Sequence, residues 1–314
     1  MVITRLEDLV KLRALAKLCG VEFFDDMSLL VVAWRRILEV LVLAMPPVVE
    51  KKARRGKKQK KKKNDPRKLE ILDACVALGR AYNWVEDCDD ARRYYKRAKE
   101  GYEEQLGRDS ENVLDVTRSL IGSDGESRGV QIEKLRELLK RMERVLGEEH
   151  VLTLEMLNKL GCELKDNGEY EEAREVYERF LAGQLKVLGE EHKDTLCTLN
   201  NLGIVYQRMK DYEKAFEYYE RALKGHERLL GKNHPSTLII VMDIAIIYDF
   251  LKDYGKDEEL YERALEGYEV QLGKDNGKTK KFARNFKQCL DEGGNNSERL
   301  AALMSSYPGL AVKK

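Results

Sequence analysis

Apolar residues in this chain return at helical spacing, in runs separated by short polar breaks. After Leu188, the residues Leu199, Leu202, Gly203 and Tyr206 share one face of a predicted first helix, and Ala215, Tyr219 and Ala222 share one face of a second. Asp211 stands where an N-cap of the second helix belongs, and Pro235-Ser236-Thr237 opens the next first helix. Small residues at Gly203, Ala215 and Ala222 let two antiparallel helices approach closely, and tyrosines fill the gaps between pairs with their hydroxyls toward the wet edge. One such pair cannot bury both of its faces, so pairs must stack.

The pattern has a fixed period. Segments beginning at Leu146, Leu188 and Leu230 align without a gap at 42-residue spacing, and another Leu-Gly starts at Leu272. Upstream, Leu106-Gly107 precedes Leu146 by 40 residues, and residues 64–105 fit the same register. The copies are unequal. Residues 67–105 keep Leu78, Gly79, Tyr82, Ala91, Tyr95 and Ala98, whereas the first helix of 106–145 should stop near Ile121, before the loop-forming run at 122–129. Asp257 replaces the expected alanine, which predicts looser packing in the last full copy. Residues 279–291, with Phe282, Phe286 and Leu290, predict one amphipathic helix that caps the open end, and 297–305 a short helix before a frayed tail.

The run Leu199-x2-Leu202-Gly203-x2-Tyr206 followed by Ala215-x3-Tyr219 resembles the tetratricopeptide signature. The longer period, the Leu-Gly-x-x-His/Pro-x-Thr-Leu linker and the LNNLG run are similar to the kinesin-light-chain type of that repeat. The resemblance covers about residues 67–290. It implies an all-α fold, a right-handed α-solenoid of about five helix pairs (67–105, 106–145, 146–187, 188–229 and 230–271) closed by the helix at 279–291. Around it are expected an N-terminal helical segment at 1–50, a basic disordered linker at 51–66 and a C-terminal tail at 292–314.

Composition refines this picture. Charged residues make up 36% of the 314 positions, which suits helices with wide solvated faces. The net charge of +1 conceals an asymmetry: ten of the 57 basic residues lie at 51–63, leaving 47 against 56 acids elsewhere, a net of −9. Any contact with nucleic acid or an anionic membrane is therefore expected only through Lys51, Lys52, Arg54, Arg55, Lys57, Lys58, Lys60, Lys61, Lys62 and Lys63. That run reads either as a targeting segment, nuclear or membrane-directed, or as a solvated linker. Six dispersed cysteines without a CxxC pair fit a reduced, cytoplasmic setting, with a nuclear one as the alternative, and no secretory leader is evident. Met27–Met45 is apolar, but Arg35, Arg36 and Glu39 at its centre favour a helix buried in protein over a membrane span.

No catalytic constellation emerges. His150, His192 and His234 occupy the same position of successive repeats, which marks them as parts of the repeat, and His226 among charges reads as a solvated residue. Phosphate-cradling loops, HExxH and GxSxG are absent from the sequence, so neither an enzyme, a metal nor a cofactor is expected. Cys75 reads as core, and Cys162 and Cys197 as inner-face thiols. The resemblance instead implies a concave face lined by first helices that binds an extended peptide. Its candidate residues are Asn158, Lys159, Lys165, Asn200, Asn201, Gln207 and Arg208, with the asparagines bonding peptide backbone and the cations anchoring an acidic partner. Only Asn201 keeps the second asparagine of LNN, which Lys159, Asp243 and Ala77 replace in the neighbouring copies. A kinesin heavy chain as partner is the narrowest version of this reading, and residues 1–50 lack the sustained heptads that would join one.

Overall fold

The structure is a computed structural model that describes residues 64–84, 87–122, 125–293 and 297–310. The N-terminal segment, Met27–Met45 and the basic run lie outside the described residues. Every regular element among the described residues is helical. The helices are α1 (Pro66–Trp84), α2 (Cys88–Leu106), α3 (Glu111–Leu120), α4 (Arg128–Leu146), α5 (Val151–Asn167) and α6 (Tyr170–Val187). They continue as α7 (Lys193–Arg208), α8 (Tyr212–Leu230), α9 (Pro235–Leu251), α10 (Tyr254–Leu272), α11 (Gly277–Gly293) and α12 (Ser297–Ser306). The chain divides into two compact units, one ending at Met156 and the other beginning at Leu157.

Repeated short motifs explain where each helix starts and stops. The glycine of each Leu-Gly that separates one repeat from the next sits just past a second helix with positive φ (+94° at Gly107 and Gly147, +91° at Gly231), a conformation that a side chain would strain. Three residues on, the histidine that recurs in the linker caps the next first helix. His192 Nδ1 accepts from the Asp194 amide at 3.2 Å, His234 Nδ1 from Ser236 at 3.2 Å and His150 Nδ1 from Leu152 at 3.3 Å. After His192 and His234 the threonine that follows is buried and ties the turn back on itself: Thr195 Oγ1 donates to the Gly189 carbonyl at 2.8 Å, and Thr237 Oγ1 to Gly231 at 2.9 Å. Asp87 and Asp211 cap the second helices α2 and α8, as the sequence predicts for Asp211.

Within a pair the helices run antiparallel. Gly203 of α7 lies beneath the Tyr219 ring of α8, and Leu196, earlier in α7, lies against Gly225, later in α8. A Cβ at Gly203 would come within 2.5 Å of that ring, so the small residue sets the approach distance. The α1–α2 pair repeats the arrangement with Gly79 on Tyr95 and Leu72 on Gly101.

In the first unit, α1 and α2 bury Cys75, Leu78, Ala91, Tyr95, Ala98 and Tyr102, and α3 adds Val113, Val116 and Leu120. As its glycine- and aspartate-rich run predicts, α3 stops early, at Leu120. The next helix begins at Arg128, inside the predicted 122–129 loop.

In the second unit, α6 packs on α7, α8 on α9 and α10 on α11. The period persists beyond the last full copy. Asn285 of α11 lies 84 residues, two periods, after Asn201. Helix α12 takes the place of a second helix, cut short, with Leu303 buried where Tyr219 stands two periods earlier. Arg299 pairs with Glu258 at 2.9 Å, and Tyr307 donates to Glu269 Oε1 at 2.6 Å, which fastens this closing element to α10.

Two expectations need correction. The tyrosine hydroxyls do not end in water: Tyr219 donates to Gln207 Oε1 at 3.0 Å, Tyr177 to Cys162 Sγ at 3.2 Å and Tyr268 to the Pro235 carbonyl at 3.1 Å. His226 is buried, and its Nδ1 donates to the Ala222 carbonyl at 2.9 Å. It holds the repeat position of Tyr102, Gln184 and Tyr268, all core residues, so register outweighs its charged neighbours. At the position where the sequence carries Asp257 in place of alanine, Asp257 is itself buried, as are Tyr261 and Ala264.

Candidate functional site

The sequence-derived candidates fall on the first helices of the second unit. Asn158, Lys159 and Lys165 lie on α5, and Asn200, Asn201, Gln207 and Arg208 on α7. Some are already joined. Lys165 Nζ donates to Asn201 Oδ1 at 3.3 Å, linking α5 to α7 across successive repeats. Asn158 Oδ1 accepts from Cys162 Sγ at 3.9 Å, a long contact through sulfur, and Cys162 itself accepts from Tyr177. Gln207 accepts from Tyr219 and is held from below by the core. Lys159 is half-buried and Arg208 exposed.

Asn200 differs from these. Its Oδ1 is buried without a hydrogen-bond donor, and an unsatisfied amide carbonyl of this kind costs about 1–3 kcal/mol. On α9, one repeat after Gln207, Asp249 Oδ1 is likewise buried and without a donor. Asp243 follows Asn201 by one period. Burial pushes its carboxyl up to about 7, and the nearby Lys281 charge works in the opposite direction. Beyond it Asn285 Nδ2 contacts Met242 Sδ at 3.7 Å, so the row Lys159, Asn201, Asp243, Asn285 continues into α11. Asn285 was missed because 279–291 read as a lone cap; the 84-residue interval from Asn201 was the available signal.

The face can therefore exchange hydrogen bonds and charge with a ligand. Among the described residues, no group of three or more His, Cys, Asp or Glu is placed to hold a metal ion. No helix among them is long and apolar enough to cross a membrane. The basic residues Lys51–Lys63 lie outside the described residues.

Family models described as tetratricopeptide repeat match residues 71–112, 153–194 and 194–270, together just over half of the chain. The chain belongs to the tetratricopeptide repeat family. No curated protein matches it. Among solved structures, this tetratricopeptide protein is similar to the nearly identical TPR-like repeats of a Podosopora anserina protein designated a kinesin light chain. That match has 22% identity and a TM-score of 0.57, over 65% of this chain and 98% of the other. BtubC (BKLC) from P. vanneervenii matches with 18% identity and a TM-score of 0.63, over 80% of this chain and 94% of its own. The apo form of RapI matches with 14% identity and a TM-score of 0.58, over 90% of each chain. At these identities the likeness is one of fold, and that fold is the all-α solenoid of kinesin-light-chain-type repeats expected from the LNNLG and Leu-Gly motifs.

Proposed function

We propose that this tetratricopeptide protein is a non-enzymatic interaction scaffold, and that an extended segment of a partner protein lies along the first helices α5, α7 and α9. One observation supports the reading above others: the buried, donor-less oxygens of Asn200 and Asp249 on adjacent first helices. Backbone amides of an extended peptide supply donors at such positions whatever the peptide's sequence. Lys159, Lys165 and Arg208 add positive charge beside Asn158, Asn200 and Asn201, which favours acidic side chains at that end of the segment. Gln207, whose Oε1 accepts from Tyr219, has in its Nε2 a donor suited to a peptide carbonyl.

The test is capture from lysate with the full chain and a variant carrying Lys159→Glu and Arg208→Glu. The variant should lose partners that the parent retains, while Arg80→Ala, a change on a first helix of the other unit, should keep them. An unchanged set of captured proteins in the charge-reversed variant would reject this face as the binding site.

A further inference from the structure

The layer built from α9, α10 and α11 holds three aspartates, one buried and two half-buried, where the other repeats carry different chemistry. Asp257 of α10 is wholly buried at the position of Ala91, Ala173 and Ala215. Its Oδ1 accepts from the Glu258 amide at 2.7 Å, while its Oδ2 is buried without a partner. The buried Cys289 thiol of α11 lies near enough to this carboxylate for each group to shift the other's proton affinity. Asp249 of α9 has a donor-less buried oxygen, and Asp243, six residues earlier on α9, is half-buried.

The surrounding charges do not neutralise this set. From α10 come Glu258, which Arg299 of α12 already pairs at 2.9 Å, and the buried phenols Tyr261 and Tyr268. From α11 come the cation Lys281, within range of Asp243, and the anion Glu292, within range of Asp249. From α8 comes the phenol Tyr219, which senses Asp243. Asp249 and Asp257 repel one another across the α9–α10 interface.

We propose that this layer is a proton-responsive joint: it tightens as Asp243, Asp249 and Asp257 take up protons and loosens when all three are ionised. Each protonation removes a buried charge and supplies an O–H donor to an interior that has acceptors without donors. Desolvation raises all three carboxyls above their ordinary value of 3.8, Asp243 to about 7. A carboxyl whose value is higher in the folded than in the unfolded chain contributes stability that is complete below the unfolded value. That contribution is lost as pH rises through the folded value. The window therefore runs from near 3.8 up through about 7, and the joint is weakest on its alkaline side.

Hydrogen exchange on the full chain at about pH 5.5 and about pH 8, corrected for intrinsic rates, tests the joint. Peptides from α9, α10 and α11 should open severalfold more often at the higher pH, while those from α1 and α2 serve as the internal reference. Combining Asp243→Asn, Asp249→Asn and Asp257→Ala should flatten that dependence and give, at the higher pH, the protection the parent shows at the lower. Asp257→Ala alone, which restores the alanine of the other repeats, should shift protection the same way by a smaller factor. Equal protection of the parent at both pH values would overturn the proposal. So would the same pH dependence surviving in the variants.

Discussion

The first-helix faces of the two units use equivalent positions for opposite ends. In the first unit, Arg80 of α1 pairs with Asp115 of α3 at 2.9 Å, Asp115 with Arg118 at 2.8 Å, and Arg118 with Glu155 at the start of α5. Ion pairs thus sew three successive first helices together, and Arg118, at the register position of Asn200, is largely covered. In the second unit α5 is joined to α7 by the Lys165–Asn201 hydrogen bond, and Asn200 and Asp249 keep oxygens without donors. One repeat pattern therefore supports a face tied together by ion pairs and a face on which Asn200 and Asp249 keep oxygens without donors. The helical geometry is shared, and the difference lies in which polar side chains occupy it. Buried polar groups that lack partners in a native fold call for an explanation, and a ligand is the one proposed for the second unit.

The largest effect should come from removing what props the face of the second unit. Tyr219 is fully buried beneath Gly203, with its hydroxyl on Gln207. Tyr219→Ala should cost about 3–5 kcal/mol, in the range of other large aromatic truncations. Tyr219→Phe keeps the ring and should cost about 1 kcal/mol through the lost hydrogen bond. Urea unfolding of the whole chain measures both, and hydrogen exchange should place the first loss of protection in residues 157–310. A Tyr219→Ala chain as stable as the parent would mean that the face does not rest on this ring.

The second comparison is direct. Arg118→Ala removes a guanidinium shared by Asp115 and Glu155 and leaves Asp115, itself little exposed, with one remaining partner. A loss of about 1–3 kcal/mol is expected, because breaking a covered charge network strands its counter-charge. Asn200→Ala at the equivalent position removes an oxygen that has no donor, so stability should hold or rise by about 1 kcal/mol while partner capture falls. Equal losses in the two variants would erase the distinction between the faces.

How far this was legible from sequence follows the same division. Helix pairs, their antiparallel packing and the early stop of α3 could be read because glycine, alanine and aspartate at fixed register positions answer to local geometry. The histidines were rightly assigned to the repeat, although their capping role needed coordinates: Nδ1 acceptance depends on ring orientation. His226 was misread because its sequence neighbours are charged, whereas its repeat equivalents, Tyr102 and Tyr268, are core. The candidate residues were placeable on first helices by period alone. Which of them are satisfied was not, because Lys165 meets Asn201 and Arg118 meets Glu155 only through the stacking of successive pairs.

Asp257 separates register from chemistry at one position. Restoring alanine there should raise stability by about 1–2 kcal/mol at about pH 8, since a buried carboxylate with a partnerless oxygen disappears. The gain should shrink at a lower, acidic pH, because burial raises the carboxyl of Asp257 and brings forward the protonation that relieves the parent. Thermal or urea unfolding at the two pH values reads this difference. A loss of stability at both would show that the carboxylate holds α10 to α11 through Cys289 instead of straining the layer.

The smallest expected effect concerns how the face helices begin. His192 Nδ1 must present its lone pair to the Asp194 amide, so the ring proton resides on Nε2. Asn276 does the same for α11, its Oδ1 accepting from the Lys278 amide at 2.9 Å, which shows that asparagine fits this turn. In the first unit the equivalent Ser110 makes no capping bond, and its Oγ is buried without a partner. His192→Ala should therefore cost about 1 kcal/mol, the usual worth of an N-cap, and His192→Asn only a few tenths. Ser110→Asn should gain a fraction of that amount, because α3 begins without the bond that its counterparts possess. Urea unfolding of the three variants orders them. If His192→Asn proves as damaging as His192→Ala, the ring contributes packing to the Leu-Gly turn beyond its cap, and the recurrence of histidine at 150, 192 and 234 reflects that packing.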